Sequence, residues 1–323
     1  MIHSFVFTDG KLAARDLDPD ALKLVRSDKG LFIWVDLDQP TEEETRTVLE
    51  DLFHFHPLAI EDCISVSQRP KMEDYDEYFF MTMHAVDFSR TDKFNTTELD
   101  LFLGKDFLVT YHTKELRSVA AARGRCINKN TGLIARAPDR LLHTILDLLV
   151  DNYTPVLNEL TEETDEIEER LLEHNNPELI PEMLAVRKEL SQLRRILRPQ
   201  QEVINRLARG ESKLIRASML PYFRDLHDAL VRTEEIASSH ADQLLLSFDV
   251  YMNKVANQTN ESIKVLTALT ALTIPPMLIG SWYGMNFDGM PELHSAHGYW
   301  VVCFATILSM VAVGAWLKWK NWF

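Results

Sequence analysis

The sequence predicts an α/β domain, then a purely helical region that ends in two membrane-spanning helices. Charge is the first observation behind this. The 323 residues carry a net −15 with 26% charged side chains, yet from Ile263 to Phe323 only Lys264, Asp288, Glu292, Lys318 and Lys320 are charged. That tail is net +1, so residues 1–262 hold −16. Second, the hydrophobic pattern changes from strand-like to helical near Pro138. Third, Ile263–Tyr283 and Gly298–Leu317 are each about 20 residues of nearly uncharged sequence, the length that crosses roughly 30 Å of hydrocarbon.

Strand-like runs occupy Ser4–Phe7, Leu31–Leu37, Tyr78–Phe88 and Leu99–His112, the last broken by a hairpin turn at Gly104-Lys105-Asp106. After Pro40, Thr41 followed by Glu44 three residues on is a capping box that opens a helix through Phe53. Lys114–Arg123 predicts another. Past Pro138, one long helical segment carries Leu142, Ile145, Leu149, Tyr153, Val156 and Leu160 and becomes acidic toward Arg170. Asn175-Asn176-Pro177 breaks it. Leu179, Met183, Val186, Leu190, Leu193 and Leu197 then recur in steps of four and three, the seam of an antiparallel helix pair bounded by Gly210 and Pro221. Tyr222–Ile274 contains no Gly or Pro, so a continuous helix of roughly 80 Å is expected there at 1.5 Å per residue. The resulting boundaries are an α/β domain over 1–135, an acidic helix pair over 136–220, a stalk helix over 221–262, a first span over 263–283, a loop over 284–297, a second span over 298–317 and a basic aromatic tail over 318–323.

Composition narrows the function. A net acidic chain argues against nucleic acid, which needs a basic face, and suits cation partners. Cys63, Cys126 and Cys303 are odd in number and far apart, so neither a disulfide framework nor a thiolate zinc site is expected. The N-terminus lacks the basic-then-apolar pattern of a signal peptide. Trp282, Tyr299, Trp300, Trp316, Trp319 and Trp322 gather at the span ends like an interfacial belt. The 284–297 loop has no Lys or Arg, whereas Lys264, Lys318 and Lys320 flank the spans. Both termini are therefore expected in the cytoplasm of a multi-pass protein of the plasma (inner) membrane.

Two helices cannot enclose a water-filled path. The first span nevertheless carries Thr267, Thr270, Thr273 and Ser281, with Asn260 just before it. Polar groups in a membrane helix usually face protein or an aqueous cavity, so this span is expected to line a pore shared by several subunits. The competing expectation is that the threonines bond back to their own helix.

The first span ends in Tyr283-Gly284-Met285-Asn286-Phe287, and Met290-Pro291-Glu292-Leu293 follows. With Asn257-Gln258-Thr259-Asn260-Glu261, Lys264-Val265-Leu266-Thr267, Pro221-Tyr222-Phe223-Arg224-Asp225 and Gln68-Arg69-Pro70-Lys71, the chain resembles the CorA family of magnesium transporters over essentially its whole length. The resemblance implies a homopentameric funnel of α/β cytoplasmic domains above a long-helix stalk and two C-terminal transmembrane helices. It implies a selectivity filter of Gly284, Met285 and Asn286, a polar inner ring at Asn260, and a pore lined by Ile263, Leu266, Thr270, Ile274, Met277 and Ser281. Mg²⁺ dehydrates reluctantly and demands octahedral oxygen geometry, so a ring of neutral amide oxygens can hold its water shell without trapping it. Asp288 and Glu292, repeated around the mouth, would concentrate cations. The apolar residues would form dewetting constrictions, and Gly284 would permit a turn where a side chain clashes.

The family gates on intracellular Mg²⁺ bound between cytoplasmic domains. Asp225 matches the stalk carboxylate of that regulatory site. Its partner strand departs from the family: Ser89 stands near the expected acid, and Asp87, on the same strand face by the two-residue period, would replace it. No Walker loop, GxSxG or HExxH occurs, so an enzyme is not expected; His54 and His56, near Asp62, read as structural. The expected function is passive Mg²⁺ uptake, with Co²⁺ or Ni²⁺ as further ions. A relative specialised in Zn²⁺ or another transition metal, against which the intact Met290–Leu293 motif weighs, and a membrane-anchored cation sensor that conducts nothing are the alternatives.

Overall fold

A computed structural model describes the chain except residues 29, 66–68, 87–95, 128–135, 174–176, 287–289, 291–294, 321 and 323. It divides into two compact units, Met1–Leu245 and Leu246–Phe323.

The first unit is built on a seven-stranded sheet: β1 (Ile2–Thr8), β2 (Lys11–Arg15), β3 (Phe32–Asp38), β4 (Lys71–Asp74), β5 (Tyr78–Val86), β6 (Thr96–Gly104) and β7 (Phe107–His112), in the order β2-β1-β3-β7-β6-β5-β4. All neighbours are antiparallel except β3 and β7, which pair in parallel from Ile33↔Phe107 to Asp38↔His112. All nine residues of β5 are buried, because helices cover both faces, and such strands read as near-continuous apolar runs. One face carries α1 (Pro19–Arg26), α2 (Glu42–Thr45) with its continuation Arg46–Leu52, and α3 (Pro57–Ile64), packed on Val35, Phe80, Phe102 and Val109. Across the sheet α5 (Pro138–Asp151) touches β3, β7, β6 and β5, and α4 (Arg117–Ile127) packs on α5.

The expected hairpin joins β6 to β7. A Cβ on Gly104 would fall against the buried Phe107 ring, so any larger residue there would force that ring to move. The capping box forms in both directions: Thr41 N–H donates to Glu44 Oε2 at 2.8 Å and Glu44 N–H to Thr41 Oγ1 at 3.2 Å. The helix it opens runs to Leu52 with Phe53 at its end, as the sequence suggested, but changes its hydrogen-bond pattern on the way. After Thr45 it loosens into a π turn, in which Phe53 N–H bonds the Val48 carbonyl, and Val48, Leu49 and Leu52 all stay buried.

The single long segment expected after Pro138 is two helices, α5 and α6 (Tyr153–Glu173). Pro155 has no N–H for the Asp151 carbonyl and its ring crowds that oxygen, so α5 closes at Asp151 and α6 starts afresh. Helix α7 (Leu179–Ala208) packs along α6 and buries all six residues of the predicted seam. It ends in a Schellman turn at Gly210 (φ +72°), with Gly210 N–H to Leu207 O at 3.0 Å and Glu211 N–H to Arg206 O at 3.2 Å.

Helix α8 runs unbroken from Leu220 to Tyr283. Pro221 is tolerated in its first turn. The helix continues through Pro275 and Pro276, which leave the Ala271 and Leu272 carbonyls without i+4 donors, an arrangement membrane helices accept more readily than soluble ones. In the second unit α8 lies against α9 (Gly298–Trp319). Ala268 and Leu317 are buried between them, and Leu272 Cδ2 comes within 3.7 Å of where a Cβ on Gly314 would sit. Both helices are long and apolar enough to cross a membrane, and only 6% of each apolar window is buried, whereas the core helix of a soluble domain would be mostly buried.

Candidate functional site

Packing on α9 uses one face of α8. Ala268, Ala271, Leu272, Pro275, Pro276 and Ile279 are buried or half-buried, while Asn260, Ile263, Leu266, Thr270, Ile274, Met277 and Ser281 are exposed. At 100° per residue these two sets lie on nearly opposite sides of the helix. Ile263, Leu266, Ile274 and Met277 are 55%, 65%, 43% and 66% exposed. Within one chain these apolar side chains have no cover, so the face is available to line a shared path or to meet other chains.

The threonine hydroxyls do bond back to their own helix: Thr267 to Ile263 O at 2.8 Å, Thr270 to Leu266 O at 2.9 Å and Thr273 to Thr270 O at 2.9 Å. Each spends its proton this way, and the oxygen lone pairs remain as acceptors. The span therefore offers acceptors and apolar side chains, and no charged side chain after Lys264.

At the far end of α8, Gly284 N–H still bonds Gly280 O at 2.9 Å, and Met285 N–H reaches Trp282 O at 3.4 Å. A Cβ on Gly284 would stand 2.9 Å from the Gly280 oxygen, a backbone atom with little freedom to move. The chain leaves the helix here, and the Asn286 side chain is exposed with no hydrogen-bond partner among the described residues. It does not cap α8. Its carbonyl oxygen is free to accept hydrogen bonds from a ligand or its water shell. Asp288 and Glu292 lie outside the described residues.

Of the expected regulatory pair, Asp225 is exposed on α8. His143 of α5 is beside it: its Nε2 lies 3.3 Å from Tyr222 O, and burial lowers its pKa against the opposing pull of Asp147, the Tyr222 carbonyl and Asp225. Asp87 and Ser89 lie outside the described residues. Among the described residues no three His, Cys, Asp or Glu side chains converge as a metal site would require. Cys63, Cys126 and Cys303 are free thiols. His54 and His56 are structural: His54 Nδ1 bonds Glu50 O at 2.7 Å, and His56 Nδ1 accepts the Leu58 N–H at 3.2 Å as the cap of α3.

Residues 29–319 match the family model described as CorA-like Mg²⁺ transporter protein. The chain is 34% identical to the putative metal ion transporter YfjQ of Bacillus subtilis, over 90% of each protein. It is 31% identical to the cobalt/magnesium transport protein CorA of Thermotoga maritima, over 90% of this chain and 83% of that one. Among solved structures, the complete CorA magnesium transporter of Methanocaldococcus jannaschii superposes with a TM-score of 0.82 at 20% identity, covering 100% of this chain and 99% of that one.

Proposed function

Because the chain belongs to the CorA-like Mg²⁺ transporter family, and so is a divalent-cation transporter of the membrane rather than an enzyme, we propose that it assembles as a homopentamer that conducts Mg²⁺ passively into the cell. The observation that carries this is the uncovered face of α8, Asn260 through Ser281, which leads to Asn286, exposed and without a partner among the described residues. Brought together around an axis, these faces give a path of alternating acceptor and apolar rings. A hydrated Mg²⁺ passes it by exchanging hydrogen bonds from its bound waters, since the ion holds that shell tightly. Asn286 supplies the outer ring, a reading supported by its exposed neutral oxygen at the end of α8.

The loop without Lys or Arg and the flanking Lys264, Lys318 and Lys320 support an inner-membrane orientation with both termini in the cytoplasm. A cysteine placed at Ser295 should then react with an impermeant thiol reagent from outside intact cells; labelling only after lysis reverses the orientation. Regulation by intracellular Mg²⁺ through Asp225 and Asp87 predicts that Asp225→Asn weakens Mg²⁺ protection of the cytoplasmic domain against protease, and unchanged protection rejects it.

The deciding experiment is flux. Purified protein in liposomes loaded with a Mg²⁺-sensitive dye should admit Mg²⁺ at a rate set by the gradient. Faster Zn²⁺ entry with negligible Mg²⁺ entry replaces the ion, and no flux of any divalent cation leaves a non-conducting sensor.

A further inference from the structure

The face of the sheet covered by α3 is not filled to its end. His84 stands directly across from Glu98, and Thr82, Asp100 and Tyr111 form the next row, so all five share one face. Beyond Cys63 they open onto a cavity of about 500 Å³, also lined by Thr97, Lys114 and Arg195. That volume is in the range of small-molecule sites.

The cavity has two zones. Its floor is buried: Asp100 is 2% exposed and accepts a 2.6 Å bond from Thr82 Oγ1. His84 is 7% exposed, and neither ring nitrogen has a hydrogen-bond partner among the described residues. A buried imidazole with two unmatched nitrogens costs free energy unless something fills the space beside it. Lys114 and Arg195, both exposed, place positive charge at the mouth.

We propose that this cavity binds a small zwitterion, with its ammonium group seated on Asp100, Glu98 and His84 and its anionic group held by Lys114 and Arg195. An ammonium offers three donors, which suit two carboxylates and an imidazole nitrogen. Burial, with Glu98 and Asp62 nearby, holds the Asp100 carboxyl well above the usual carboxylate range, so a bound cation would drive a proton off it. A metal ion fits less well, because two cations guard the mouth and these side chains do not close to metal-ligand distances among the described residues, whereas an ammonium is held at longer hydrogen-bond distances. The cavity lies in the first unit, apart from the residues assigned to the ion path, so its occupancy does not rest on the transport reading.

Titration calorimetry on the full chain in detergent tests this, with γ-aminobutyrate and phosphoethanolamine as probes and butylamine and butyrate as single-charge controls. At least one zwitterion should bind about tenfold tighter than either control, the worth of one charged hydrogen bond. Its affinity should rise with pH as Asp100 gives up its proton more readily. Asp100→Asn, which keeps an acceptor for Thr82, should weaken binding about tenfold or more, and Arg195→Ala should do so without touching the buried floor. If Asp100→Asn does not fold, Arg195→Ala decides. Absence of binding by both zwitterions, or binding that Arg195→Ala leaves unchanged, overturns the proposal.

Discussion

The side chain of Gln200 completes the edge of β5 at His84. Strand β4 pairs only with Phe79–Thr82, so among the described residues β5 runs on without a strand neighbour on that side. There the Gln200 side-chain carbonyl accepts the His84 N–H at 3.3 Å. The buried Tyr153 hydroxyl donates to the His84 carbonyl and accepts from Gln200 Nε2 at 2.7 Å. Two helices thus supply the donor and acceptor that a strand would supply, and the sheet edge is sealed.

Removing one member leaves the others unpaired. Tyr153→Phe strips the donor from the His84 carbonyl and the acceptor from Gln200 while keeping the ring. Orphaning a buried polar group costs about 1–3 kcal/mol, so the thermal midpoint of the full-length protein should fall by several degrees. An unchanged midpoint would show that water or a neighbouring group replaces the hydroxyl.

His112 predicts a pH dependence. Its Nε2 lies 3.1 Å from Asp36 Oδ1 and its Nδ1 2.7 Å from Lys114 O. Both partners are acceptors, so only the doubly protonated ring satisfies both. Burial pulls its pKa down, but the Asp36 carboxylate, the Lys114 carbonyl and Asp38 outweigh it and raise the pKa above 6.5. A raised folded-state pKa means this stabilisation is complete below about 6.5 and is lost as pH climbs through the folded value. The melting temperature of wild type should therefore decline from near pH 6.5 upward more steeply than that of His112→Asn. Parallel curves would mean that His112 is neutral in the fold.

Two glycines separate by what a methyl would meet. Gly284→Ala places a Cβ 2.9 Å from the Gly280 backbone oxygen, whereas Gly314→Ala places one 3.7 Å from a flexible Leu272 methyl. The first must shift the end of α8 and, with it, Asn286; the second makes an ordinary contact. Liposome flux should drop severalfold or more for Gly284→Ala and stay near wild type for Gly314→Ala. Equal rates in the two variants would detach the helix end from conduction.

Much of this was legible in sequence where local chemistry decides structure. Thr41 and Glu44 announced their cap, and the four-three spacing named every buried seam residue from Leu179 to Leu197. Strands β2 (Lys-Leu-Ala-Ala-Arg) and β4 (Lys-Met-Glu-Asp) were not legible, because edge strands this polar exist through pairing rather than propensity. The break at Asn152 had a signal in Pro155 that a periodicity argument passes over. The Gln200–Tyr153–His84 cluster joins residues far apart in the chain, and no spacing rule reaches that far. The polar stripe of α8 was legible as spacing, but which face α9 covers follows only from packing at Ala268 and Leu272.

Asn286 carries the sharpest prediction. As a filter, its side-chain oxygen repeats around the symmetry axis and accepts hydrogen bonds from the water shell of Mg²⁺. Asn286→Asp then adds a charge per subunit, so the ring should hold cations more tightly and lose selectivity against transition metals, since conduction needs weak binding. Asn286→Ala removes the acceptors. As a helix cap, the same residue would act through stability, with a loss of about 1 kcal/mol on truncation, but its exposed side chain has no partner at the end of α8 among the described residues. The two roles part at assembly. Purified Asn286→Ala should elute as the wild-type oligomer with a near-wild-type melting temperature, yet pass no Mg²⁺ into dye-loaded liposomes. Normal flux through that assembled variant would remove Asn286 from the filter, and loss of flux together with loss of the oligomer would return it to the role of a cap.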